Sequence, residues 1–106
     1  MNFENDKNAF KPIKNPVILD FTNCKHIGEI HKILKENFGL PDYYGENWDA
    51  LWDCLRYLFY NEEDFLVELH SFLSLDPDFI DYCTPMLEIF ERVHQNSPNI
   101  TFKIIS

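Results

Sequence analysis

The sequence predicts an α/β domain in which a small three-stranded parallel sheet packs with three to four helices. Two patterns carry this expectation. Three short apolar runs, near residues 17–21, 65–69 and 100–105, alternate with stretches of helical periodicity. The first two runs are nearly continuous in apolar character, as strands of a parallel sheet are, rather than strictly alternating. Length sets the scale: 106 residues make one small domain and exclude a multidomain enzyme. A hydrophobic content of 45%, with 16% aromatic, is too high for a disordered acidic tail.

Residues 1–15 are polar and rich in Asn and Lys, and read as a loosely held extension ahead of a domain spanning 16–106. Val17-Ile18-Leu19-Asp20-Phe21 reads as a buried strand, and Thr22 or Asn23 is placed to cap the first helix. Ile27, Ile30, Leu34 and Phe38, with charged residues between them, predict that helix as amphipathic over 25–38, stopped by Gly39 and Pro41. Tyr43-Tyr44-Gly45-Glu46 is a turn. Asn47 starts a second helix that runs to about Tyr60, with Trp48, Leu51, Leu55 and Leu58 as its inner stripe. After the polar break Asn61-Glu62-Glu63-Asp64, Phe65-Leu66-Val67-Glu68-Leu69 predicts a strand, although a helix reaching His70 competes with it. Residues 71–83 are irregular or hold one short helix, broken at Asp76-Pro77. Thr84-Pro85 begins a helix whose apolar face is Met86, Ile89, Phe90 and Val93, and Ile100–Ile105 form the last strand.

Charge narrows the function classes. Eighteen acids against nine bases give a formal net charge of −9. The acidity is concentrated: residues 42–91 hold thirteen acids and a single base, Arg56, a net of −12. Binding to a nucleic-acid backbone needs Lys and Arg to displace counterions, and attraction to an anionic membrane needs the same, so neither partner is expected. A field of one sign serves solubility, or steers a partner of the opposite sign. No 18-residue apolar run predicts a membrane span, and the N-terminal residues show no signal-peptide pattern. Cys24, Cys54 and Cys83 are odd in number and lack metal-site spacing, which reads as free thiols in a reducing cytoplasm.

The most informative stretch is Leu40–Leu55, with the sequence LPDYYGENWDALWDCL. On a helix, Asp49 and Asp53 are four residues apart and share one face, a spacing that costs an isolated helix roughly 0.2–0.5 kcal/mol. Trp52 and Arg56 lie beside them, and Tyr43 and Asn47 sit where the helix begins. An ordinary solvated acidic face is the plain reading of such a helix. A general acid–base pair has no His nearby, no phosphate-cradling Gly loop and no nucleophile to act with, so no catalytic residue is assigned. No cofactor or metal set is assigned either. Cys24, His26 and His31 lack zinc-site spacing, and Glu62-Glu63-Asp64 lacks that of a calcium loop. His31 reads as a surface or hydrogen-bonded histidine.

Those sixteen residues closely resemble the central motif of the barstar family of intracellular ribonuclease inhibitors. The resemblance continues through Val17-Ile18, Ile30-His31 and Leu34-Lys35, is loose between Asn61 and Thr84, and returns at Phe90, Ile100-Thr101 and the closing strand to Ser106. It implies a three-stranded parallel sheet, and a protein that places its second helix and preceding loop into a ribonuclease active site. By position, Asp53 matches the family acid that enters the phosphate site, and Asp49 a second acid on the same face. Tyr43 matches an aromatic that packs on the enzyme's histidine. Gly45 permits close backbone approach, and Asn47 and Trp52 share the contact surface. Trp48 replaces an aliphatic residue, and Cys54 matches a cysteine read as packing.

Two positions depart from the pattern. The family's acidic contact on the last helix falls on Arg92, and Arg56 is also basic. Either cation opposes a cationic enzyme surface, so the expected target is a different ribonuclease, or a barnase-like enzyme with altered surface charge. The expected partner is thus a basic ribonuclease or nuclease toxin, bound by a chain that is monomeric when free. A module of the same fold that binds another basic protein, without nuclease inhibition, is the alternative.

Overall fold

A computed structural model describes residues 10–59 and 63–105. Its elements in chain order are β1 (Val17–Asp20), α1 (Ile27–Asn37), α2 (Trp48–Leu58), β2 (Phe65–His70), a 3-10 turn (Phe72–Ser74), α3 (Pro77–Tyr82), α4 (Thr84–Asn96) and β3 (Ile100–Ile105). The sheet has the order β1-β2-β3 and is parallel throughout, with Val17 beside Val67 and Val67 beside Phe102. The expected three-stranded α/β fold is present, with four helices.

The strands differ from the sequence reading in one respect. Burial alternates along β1, with Val17 and Leu19 inside and Ile18 44% exposed. The core face of the sheet carries Val17, Leu19, Val67, Leu69 and Ile100, so its strands are not buried on both sides as an apolar run suggests. One core joins that face with Ile30 and Leu34 of α1, Leu51 and Leu55 of α2, and Met86, Ile89, Phe90 and Val93 of α4. Each large apolar side chain fully removed from water contributes roughly 1.5–3 kcal/mol.

Helix ends are set by local chemistry. Asp20 accepts hydrogen bonds from the Thr22 amide and hydroxyl, and Asn23 takes a left-handed turn conformation (φ 61°), so neither Thr22 nor Asn23 caps α1. His26 is the capping position but makes no side-chain cap, and Glu29 reaches back to the Lys25 amide instead. At the other end Gly39 is left-handed (φ 60°) and the Leu40 amide bonds the Lys35 carbonyl, a six-to-one closure of the Schellman type. A Cβ at Gly39 would lie 2.2 Å from the Lys11 carbonyl oxygen, so the residue must be glycine on both counts.

Asp76-Pro77 does not break a helix; it starts one. The Asp76 carboxylate accepts the Asp78 amide and Pro77 occupies the first turn, where its missing N–H is no loss. The competing helix at residues 65–70 is excluded by the paired register of β2 with both neighbours. Residues 10–15 are fastened to the domain. Phe10 stacks on Tyr57 (5.2 Å), the Lys11 amide bonds the Gly39 carbonyl, and the Asn15 side chain bridges the Asp64 carbonyl and the Leu66 amide. The rest of the expected extension, residues 1–9, lies outside the described residues. So do Tyr60 at the expected end of the second helix, Asn61 and Glu62 of the polar break, and Ser106.

Candidate partner-binding face

α2 and the loop before it build the site. Asn47 caps α2, its Oδ1 accepting the Ala50 amide at 2.8 Å while its Nδ2 donates to the Gly45 carbonyl at 3.2 Å. Both ends of that amide are therefore spent on shaping the loop. Gly45 is exposed, and the nearest atom a Cβ there would meet is the same Asn47 Nδ2, at 3.1 Å. The loop is also tied at Asp42, which accepts from Lys11 (3.1 Å) and lies 3.6 Å from Lys35. Those lysines hold its carboxyl below the usual carboxylate range, the Lys11 hydrogen bond foremost.

On this frame, Tyr43 is 59% exposed and Asp49 and Asp53 are both exposed. Among the described residues neither carboxylate has an ion-pair partner. Asp49 lies in the first turn of α2, where the helix dipole favours a negative charge. Asp53 has no such compensation. Trp52 is half-buried, with the Arg56 guanidinium 5.7 Å and the Arg92 guanidinium 4.5 Å from its ring centre. Arg92 reaches it from α4, which packs against α2. All seven residues singled out from the sequence (Tyr43, Gly45, Asn47, Asp49, Trp52, Asp53 and Arg56) thus lie on α2 or its preceding loop. The contact between Arg92 and Trp52 adds α4 to the same surface.

Beneath the loop lies a polar cluster that the sequence reading missed. His31 is only 2% exposed, and both ring nitrogens are bonded, Nδ1 to the Tyr44 hydroxyl (2.8 Å) and Nε2 to the Tyr82 hydroxyl (2.7 Å). Its ring lies 4.8 Å from that of Trp48, which in turn lies 5.1 Å from Tyr82. Burial holds the His31 pKa below its ordinary value, partly opposed by the Glu46 carboxylate, and burial also pushes the Tyr44 hydroxyl up. The cluster joins α1, the loop, α2 and α3, so of the two sequence readings of His31 the hydrogen-bonded one holds and the surface one does not: it is a buried strut. Its place in the repeat of Ile27, Ile30 and Leu34 is the signal that could have found it. Trp48 packs half-buried on this cluster, and the inner stripe of α2 is Leu51, Cys54 and Leu55, while Leu58 is half-buried.

Among the described residues, no group of three His, Cys, Asp or Glu could hold a metal ion, and no helix is long and apolar enough to cross a membrane. The three cysteines are free, and burial raises the Cys54 thiol to about 11 and the Cys83 thiol to about 12, which makes both poor nucleophiles. A shallow depression of about 270 Å³ between α4 and β3, lined by Phe90, His94 and Phe102 among others, touches none of the seven residues.

Comparison with known proteins bears on this face. A curated protein of Bacillus subtilis (strain 168), "Putative ribonuclease inhibitor YrdF", is 49% identical over 39 residues, which are 37% of this chain and 43% of that protein. The match thus spans less than half of that relative's length. The family profile described as Barstar (barnase inhibitor) matches residues 15–105, from just ahead of β1 to the end of β3. With the whole sheet and all four helices inside that match, the chain belongs to the barstar family.

Proposed function

We propose that this chain inhibits a basic ribonuclease by covering its active site with α2 and the preceding loop. The observation that carries the reading is the pair of exposed carboxylates, Asp49 and Asp53, one turn apart and without a cationic partner among the described residues. A ribonuclease grips phosphate with cations. A carboxylate set in the phosphate's place accepts the same charge-assisted hydrogen bonds from Arg, Lys and His. Asp53 takes that place, Asp49 supports it, and exposed Tyr43 supplies the aromatic contact. Gly45 leaves the backbone bare, Asn47 fixes the loop, and Trp52 and Arg56 border the contact. The net charge of −9 steers a basic enzyme toward productive encounter. The chain acts as a binding partner and not a catalyst, and the biological setting of this reading is cytoplasmic self-protection by a monomer.

The test is a titration of a panel of basic ribonucleases, barnase and barnase variants with acidic substitutions at the active-site rim among them, with the purified chain and an RNA substrate. Loss of activity reaching completion near one equivalent supports the reading. Full activity of every enzyme in that panel at a large excess of chain refutes it and leaves a protein-binding module of the same fold. The arginines at positions 56 and 92 are the feature that favours that second reading, because they place positive charge on a surface otherwise suited to cations.

A further inference from the structure

Arg56 and Arg92 come from different helices, yet both guanidinium groups rest on the same indole, that of Trp52. Both arginines are exposed. Carboxylates stand within helical reach of each. Asp53 precedes Arg56 by three residues and Glu88 precedes Arg92 by four, spacings at which ion pairs form readily. Neither arginine takes one: among the described residues no ion pair includes Arg56 or Arg92. Two like charges are therefore gathered on one ring, in a chain of net −9, with no carboxylate among the described residues within ion-pair distance of either. A cation over a ring face is attracted to it without using its hydrogen-bonding edge. Among the described residues neither guanidinium has a hydrogen bond or ion pair, so its N–H groups remain for a planar acceptor.

We infer that Trp52, Arg56 and Arg92 form a clamp for a side-chain carboxylate of the protein partner, beside the Asp49–Asp53 face. The inference rests on the proposed ribonuclease-binding role of that face and specifies the partner. Its docking surface alternates in sign, with cations opposite Asp49 and Asp53 and an Asp or Glu opposite the two arginines. A polyanion such as RNA does not fit, because Asp49 and Asp53 would repel the neighbouring phosphates. A single carboxylate flanked by cations meets both signs. The indole holds the two guanidinium groups before the partner arrives, which lowers the ordering cost of binding.

The experiment uses barnase and a set of its single Lys→Glu and Arg→Glu variants around the active-site rim, with affinities measured for the wild-type chain and for R56E and R92E. At least one enzyme reversal should bind the wild-type chain ~10-fold or more tightly than unmodified barnase, the fold-change of one hydrogen bond between charged groups. The same reversal should lose that advantage against R56E and R92E, while unmodified barnase gains affinity for both. If every reversal weakens binding to the wild-type chain, or if the gain survives in R92E, the clamp is refuted. Circular dichroism of both exposed-site variants checks that they keep the fold. Asp53→Ala, measured on the same enzymes, separates the two claims. Loss of affinity in Asp53→Ala without any reversal preference removes the clamp alone. A reversal preference with Asp53→Ala unchanged removes the proposed role of the acidic face and leaves the clamp.

Discussion

Replacing His31 with Phe keeps a ring of similar size in the cluster beneath the binding loop but removes both hydrogen bonds. The Tyr44 side chain is 6% exposed, so its hydroxyl, 2.8 Å from Nδ1, would be left buried without its partner. That orphaning costs ~1–3 kcal/mol. Tyr82 is only half-buried, so its lost bond at 2.7 Å is counted at the net ~0.5–1.5 kcal/mol of an ordinary hydrogen bond. The expected destabilisation is then ~1.5–4.5 kcal/mol, a large part of a small domain's total stability. Urea unfolding followed by tryptophan fluorescence suits the measurement, since Trp48 lies against His31. The double variant His31→Phe with Tyr44→Phe removes both ends of the buried bond and should recover part of the loss. A cost below ~0.5 kcal/mol for His31→Phe, or strictly additive costs in the double variant, would contradict the strut.

Other expectations concern the same frame. Because burial lowers the His31 pKa, the folded state favours the neutral ring. Its contribution to stability is complete above pH 6.5 and declines as pH falls from there toward the folded value. Asp20 and Asp42, lowered by their bonds to Thr22 and Lys11, lose their contributions only near and below pH 3.8, so the decline that begins at pH 6.5 should be absent in His31→Phe while the one below pH 3.8 remains. Gly39→Ala should destabilise by at least ~1–2 kcal/mol from the left-handed backbone alone, with the Lys11 clash in addition. Chemical denaturation measures it, and an unchanged midpoint would contradict the close approach. Association with a basic ribonuclease should slow steeply as salt rises from low to physiological ionic strength, read by stopped-flow fluorescence, and a flat profile would remove electrostatic steering.

The fold was legible in the sequence at most positions where periodicity decides it, with Ile27 left 42% exposed and Leu58 half-buried as the exceptions. Ile30, Leu34, Leu51, Leu55 and the Met86–Val93 face all lie where their spacing puts them. Legibility failed where a local hydrogen bond competes with a general rule. Asp76-Pro77 resembles a break, yet the carboxylate caps and the proline opens a helix. Thr22 looks like a cap but is taken by Asp20. β1 reads as fully buried because Ile18 is apolar, and one side chain cannot report which sheet face is covered. At the candidate face, Asp49 and Asp53 were visible from a spacing of four within one helix. The meeting of Arg92 with Trp52 was not, since they lie forty residues apart in sequence and join only when α4 packs on α2. The same holds for His31, whose partners Tyr44 and Tyr82 come from distant parts of the chain.

The proposed inhibition turns on Asp53 occupying the phosphate position of a ribonuclease, and competition probes that directly. A ribonuclease that the chain inhibits is held with the labelled chain while a mononucleotide phosphate that fills the enzyme's active site is added, and displacement is followed by fluorescence anisotropy. Binding should be mutually exclusive, with the apparent affinity of the chain falling in proportion to nucleotide occupancy. Asp53→Ala should bind at least ~30-fold more weakly, the equivalent of the ~2 kcal/mol that marks a hot spot, a scale for which barnase–barstar is itself a reference pair. A ternary complex of enzyme, nucleotide and chain, or an Asp53→Ala variant that binds as tightly as the wild type, would contradict it.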